Sequence, residues 1–156
     1  MQRSKPGKLK VIGISLFILG VLLIGLFVWL SSGPSGGVKM INEMDAYALE
    51  YIEKHNLLND SEELIAYYDA TVTLNGREAA ILTTQRLMYH KDGRTSSIDL
   101  KEIEDIQHRY ENLLGDIIDV KGRSGIRFKV EIAPFNDGPI FYEALIDAWQ
   151  RVTGKI

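Results

Sequence analysis

Four hydrophobic patterns follow one another along the chain. Residues 11–30, VIGISLFILGVLLIGLFVWL, carry no charge, and only Gly13, Ser15, Gly20 and Gly25 interrupt the apolar run. As a helix these twenty residues would be about 30 Å long, the thickness of a bilayer's hydrocarbon core. The second pattern has a step of three and four. Met44, Ala48, Tyr51, Ile52, His55 and Leu58 predict an amphipathic helix within 42–60, capped by Asn42 and ended by Asn59. The third is a series of short stretches parted by turn residues. Residues 64–73, 79–84, 86–91, 95–100, 106–111, 116–121 and 126–132 predict seven strands. Asn75-Gly76 predicts a two-residue hairpin turn with positive φ at both residues, and Asp92-Gly93 another turn. In the last stretch Ile126, Phe128, Val130 and Ile132 alternate with Arg127, Lys129 and Glu131, so one face is buried and one is wet. The helical period then returns. After Asn136-Asp137-Gly138-Pro139, the residues Ile140, Phe141, Ala144, Leu145, Ala148, Trp149 and Val152 form one apolar stripe that Gly154 stops.

Seven closely spaced strands followed by one helix predict a mainly β (α+β) fold. It is an antiparallel sandwich or barrel whose C-terminal helix caps an open end, with Trp149 buried against the sheets. The domain plan is a basic N-terminus at 1–10, a transmembrane helix at 11–30, a linker at 31–41, the amphipathic helix at 42–60 and the β domain at 61–153. Arg3, Lys5, Lys8 and Lys10 precede the span, and only Lys39 follows it before Glu43 and Asp45. That bias puts the N-terminus in the cytoplasm and the C-terminal domain on the extracytoplasmic side, as in a single-pass signal-anchor protein. A cleaved signal peptide is the rival reading. Its apolar region is shorter, about 7–15 residues, and it too exports the domain.

Composition narrows the function. Of 156 residues, 46% are apolar and 25% charged, an ordinary globular balance. The absence of cysteine excludes disulfides, thiolate zinc sites and cysteine nucleophiles. All 21 acidic residues lie beyond residue 30, with 14 of the 18 basic ones, so the exported part carries a net charge near −7. That argues against a nucleic-acid partner.

Residues 81–90, ILTTQRLMYH, are similar to the "aiLTnkRlmyy" hairpin of the bacterial pleckstrin-homology (PH)-like families. Residues 93–106, GRTSSIDLKEIEDI, resemble their "g..ssidl.dI..i" strand and turn, and 141–149 resemble their terminal helix, with Phe141 and Trp149 as packing residues. The resemblance spans about residues 61–152 and contains no catalytic signature. It implies two bent, near-orthogonal sheets with the helix plugging one open end, and little about activity; no cofactor is expected. The fold serves many unrelated partners, so it does not select one. Phosphoinositide-binding PH domains have a basic first hairpin loop. Here that loop, Leu74 to Glu78, has one base beside one acid, so phosphoinositide binding is not expected.

Residue types that carry chemistry give weak patterns. Lys121, Arg123, Arg127 and Lys129 come from neighbouring strands and form a candidate anion or lipid patch. The carboxylate pairs Glu62-Glu63, Glu104-Asp105 and Asp116/Asp119 look like surface residues rather than an acid/base couple. His90 and His108 would have to converge with a third ligand to hold a metal, and no spacing forces that. Ser96 and Ser97 lack a nucleophile-elbow context, and Gly122-Arg123-Ser124-Gly125 is a turn without the phosphate-loop pattern. The sequence therefore predicts a non-enzymatic, membrane-anchored PH-like module that binds a protein partner near the bilayer. The alternatives are a lipid- or small-molecule-binding module and, remotely, a hydrolase.

Overall fold

The computed structural model describes residues 17–26 and 36–154. Two compact units are present, 1–34 and 35–156. In the first, residues 17–26 form a helix, α1, whose large apolar side chains are exposed. The rest of the predicted span 11–30 lies outside the described residues. No described helix is long and apolar enough to cross a membrane.

Among the described residues the second unit holds eight strands, one more than the seven predicted. Sheet A is a five-stranded antiparallel meander of β1 (Val38–Met40), β2 (Leu64–Asp69), β3 (Glu78–Thr83), β4 (Arg86–Lys91) and β5 (Arg94–Asp99). Sheet B joins β6 (Ile103–Glu111), β7 (Gly115–Gly122) and β8 (Arg127–Ile132) in the same way. Two further helices are α2 (Ala46–Lys54) and α3 (Gly138–Thr153).

The additional strand is β1, which falls in the predicted linker. Val38 pairs with Tyr68 and Met40 with Ala66, and the Val38 amide donates to the Asn136 carbonyl at 3.0 Å. Three residues after a glycine run are too few for an alternation to be read. Val38 is nonetheless buried in the core, and that burial holds the strand on the sheet edge.

The main core lies between the two sheets and α3. Leu82, Leu87, Leu100, Ile103, Ile118, Ile132, Phe141 and Leu145 are all fully buried in it. Each such side chain contributes about 1.5–3 kcal/mol by leaving water. Asp137 and Pro139 start α3 and Gly154, at φ 66°, ends it, as the sequence predicts. Trp149 is half-buried rather than fully buried. Its ring packs on the core while its Nε1–H donates to the Ile103 carbonyl at 3.2 Å. The indole N–H needs a polar partner, and it finds one at the rim of sheet B.

A second apolar cluster lies on the opposite face of sheet A. Ala48, Ile52 and Leu57 cover Leu64, Tyr67, Ala79, Ile81 and Met88. The amphipathic helix is therefore a roof over sheet A, and it is shorter than predicted. Residues Ile41–Glu43 form a 3-10 turn, Met44 is extended, and Asp45 rather than Asn42 is the N-cap. Asn56, at φ 48°, turns the chain out of the helix before Asn59.

Asp92-Gly93 is the predicted two-residue turn, with φ of 47° and 78° between the pair Lys91 and Arg94. Asn75-Gly76 is not. The β2–β3 connection is an eight-residue loop, 70–77, and the positive φ values fall on Leu74 and Gly76. The cause is Asp69. Its Oδ1 accepts from the Thr71 amide at 2.8 Å and its Oδ2 from the Gly76 amide at 2.7 Å. One carboxylate thus gathers both sides of a wide loop. Gly76 is required there: a Cβ would lie 2.7 Å from the Tyr51 ring of α2.

Candidate functional site

Strand β5 is the outer strand of sheet A, paired only with β4 among the described residues. Arg94, Thr95, Ser96, Ser97 and Asp99 are exposed, and only Ile98 is buried. The closing pair of a two-residue hairpin is hydrogen-bonded, so Lys91–Arg94, Tyr89–Ser96 and Leu87–Ile98 exchange backbone bonds. Thr95, Ser97 and Asp99 consequently turn their N–H and C=O groups outward. Two open clefts flank this edge. One, of about 510 Å³, is lined by Tyr89, Lys91, Asp92, Arg94 and Ser96. The other, of about 420 Å³, is lined by Thr84, Gln85, Asp99, Lys101 and Val152.

The LTTQR segment builds the structure behind this edge. Arg86 donates from Nε to Glu62 Oε1 at 2.7 Å and from Nη2 to Glu62 Oε2 at 2.9 Å and to the Leu57 carbonyl at 3.1 Å. Thr83 Oγ1 donates to Glu62 Oε1 at 2.7 Å and accepts from the Arg86 amide at 3.0 Å. The Glu62 side chain is completely buried. Burial pushes its carboxyl up, but the bonds from Arg86, Thr83 and the Asn59 amide outweigh that and hold it below the usual range. The network ties the end of the α2 roof to the β3–β4 turn. Glu62 is thus a buried partner of Arg86, not the exposed half of a surface pair.

His90 is also buried. Its Nδ1 lies 2.9 Å from Thr95 Oγ1 and its Nε2 3.1 Å from the Tyr51 hydroxyl. The Tyr51 ring stacks on His55 at 4.2 Å. Burial first, and His55 second, lower the affinity of His90 for a proton. His108 lies on the other sheet, 2.7 Å from Asp116 Oδ1 and stacked on Tyr142 of α3 at 4.7 Å. The two histidines therefore do not converge. Among the described residues no group of three or more His, Cys, Asp or Glu side chains could hold a metal ion.

Lys121, Arg127 and Lys129 stand on the outer face of sheet B, with Arg123 in the β7–β8 turn. Acids are interleaved with them. Lys121 pairs with Glu104 at 2.8 Å, Lys129 with Glu131 at 2.5 Å, and Arg109 with both Asp119 and Glu111. A shallow groove of about 180 Å³ crosses this face, and five of its eight lining residues are charged. It is smaller than the roughly 300–1,000 Å³ of ordinary ligand pockets. Asp105 accepts from Gln107 at 2.9 Å on the same face.

No protein-family model matches the chain, and no curated protein does. A solved structure is similar to it. This is a DUF1696-family protein with a pleckstrin-homology domain from Shewanella loihica PV-4, with a TM-score of 0.52 and 13% identity, covering 74% of this chain and 99% of that one. At that identity the likeness concerns the fold alone. Mainly antiparallel sheets closed by a C-terminal helix are a PH-like fold.

Proposed function

We propose that this chain is a membrane-anchored, non-enzymatic PH-like module that binds a protein partner close to the bilayer. The observation that carries the binding mode is the open β5 edge with a cleft at each end. An extended segment of a partner adds as a sixth strand, and its alternate side chains occupy the clefts. The middle of β5 is unguarded against such pairing: Thr95, Ser96 and Ser97 carry no charge, the strand has no proline, and its register with β4 is unbroken, the charges Arg94 and Asp99 standing only at its two ends. Phosphoinositide binding is not part of the reading. The 70–76 loop has no base, and Arg77 beside it pairs with Asp92 at 2.9 Å. Anchoring rests on the uncharged residues 11–30, and the extracytoplasmic position on the four bases before them.

The test uses the full chain in its own membranes, with a photo-crosslinking residue at the neighbouring Ser96, which is exposed and lines one cleft. Capture of one defined protein is expected, and capture should be lost in Ser97→Pro, which removes an outward N–H without touching the ladder to β4. Capture unaffected by the proline would overturn strand addition. For orientation, a reporter active only in the cytoplasm and fused after Ile156 should stay silent, and a bright signal would reverse the topology.

A further inference from the structure

Three apolar side chains stand almost wholly in water on adjoining loops of the domain. Val72 is 101% exposed, Leu113 92% and Phe135 100%. A single exposed apolar residue needs no account, but several on one stretch of surface do. Val72 lies in the β2–β3 loop, Leu113 in the β6–β7 turn and Phe135 between β8 and α3. Three contacts join these loops. The Tyr68 hydroxyl, next to the end of β2, accepts from the Ala133 amide at 3.1 Å. One cleft is lined jointly by Gly36, Val72, Leu74, Ala133 and Asn136. Gly115, closing the β6–β7 turn, lies so close to β8 that a Cβ would sit 2.1 Å from the Ile132 carbonyl oxygen.

The chain also enters the domain at this place. Gly36 and Gly37 lie against Asn136 and Asp137, and the Val38 amide bonds to Asn136. Residues 31–35 are all that separate Leu30, the end of the apolar run, from Gly36. Fully extended, that tether reaches about 20 Å. The backbone supports the same assignment. Phe135 has φ 65°, a conformation costly for a bulky residue, and its ring gains no burial in return.

We propose that Phe135, Val72 and Leu113 seat in the lipid surface and hold the domain against the bilayer. The inference rests on the anchored reading above. The contact is apolar rather than electrostatic: residues 70–76, 112–115 and 133–138 contain no lysine or arginine, while Asp137 belongs to one of them. Uncharged lipid therefore suffices.

The chain has no cysteine, so single cysteines can be placed at will. Val72→Cys, Leu113→Cys and Phe135→Cys, with Ser97→Cys on the far strand as reference, are each labelled with an environment-sensitive fluorophore. The full-length proteins are reconstituted into phosphatidylcholine vesicles, with or without a lipid-borne quencher. Co-flotation with the vesicles reports the anchor, and quenching reports the patch. The expected result is co-flotation of all four, with emission from 72, 113 and 135 falling by on the order of twofold and that from 97 unchanged. Co-flotation with equal quenching at all four positions overturns the patch and leaves the anchor standing. Loss of co-flotation overturns the anchored reading and the inference with it. Emission that follows protein density instead of the quencher assigns the patch to a second copy of the chain and overturns the lipid contact.

Discussion

The two sheets present opposite outer faces. On sheet A, Tyr67, Ile81 and Met88 sit in register across three strands and lie under α2, each at most 2% exposed. On sheet B, Gln107, Asp119 and Lys129 occupy the equivalent row; the first and last are exposed and Asp119 is half-buried, and ion pairs ring them. Both sheets share one apolar interior. What differs is whether a second layer was built outside it. The roofed sheet is packed from both sides, and its last strand, β5, is an edge with outward hydrogen-bonding groups. The bare sheet neutralises its own charges, and its basic residues are mostly spent on neighbouring carboxylates.

Removing the tie that holds the roof should have the largest effect on this contrast. Arg86→Ala leaves the Glu62 carboxylate buried and unpaired, which costs about 3–5 kcal/mol in comparable sites. A denaturant melt of the domain should show that loss, and Glu62→Gln combined with Arg86→Met should recover much of it. If the single variant melts like the parent, α2 is not clamped through this network.

The next test compares the two outer faces at matched positions. Ile81→Ala under the roof should cost about 2–5 kcal/mol, the range for buried aliphatic truncations. Lys129→Ala on the bare face should stay within about 0.5 kcal/mol, as exposed substitutions do. Similar losses at both sites would mean that sheet B is covered in solution.

The same contrast decides what could be read in the sequence. In β8 the burial alternates strictly between exposed and buried, and the period-two pattern there identified both faces. In β2 and β3 nearly every residue is buried, because α2 takes the second face. Position and type of those strands were legible, but the double burial was not. It depends on a helix docking more than ten residues upstream in the chain, which no local period reports. Asp69 is the same kind of case: Asn75-Gly76 carries a strong hairpin signal, but a carboxylate at the end of β2 overrides it. Glu62 and Asp116 looked like surface residues because sequence displays charge and not the partner that makes burial tolerable, Arg86 for one and His108 for the other. The β5 edge was predicted as a strand, yet its openness is a property of sheet order. Alternation reveals faces and never neighbours.

The smallest expected effect concerns the protons under the roof. His90 is held below the usual 6.5, by burial first and by His55 second, with Asp92 opposing. Tyr51 and Thr95 occupy its two ring nitrogens, and both hydroxyls can donate or accept, so the neutral ring is satisfied. As pH falls through 6.5 the unfolded chain takes up a proton that folded His90 refuses, so stability declines with acidification and levels off below the folded value. Glu62 contributes in a separate window. Its depressed carboxyl adds stability above its usual 4.5, which is lost only as pH falls further. Melting temperatures measured between about pH 7.5 and 5.5 should therefore separate the histidine from Glu62, and the variants assign the decline to it. His90→Gln should flatten the decline in that range, and His55→Gln should flatten it less, because His55 supplies only the secondary repulsion. An unchanged slope in both variants would place the acid sensitivity outside the α2 roof, and with it the claim that this face of sheet A is the more tightly held of the two.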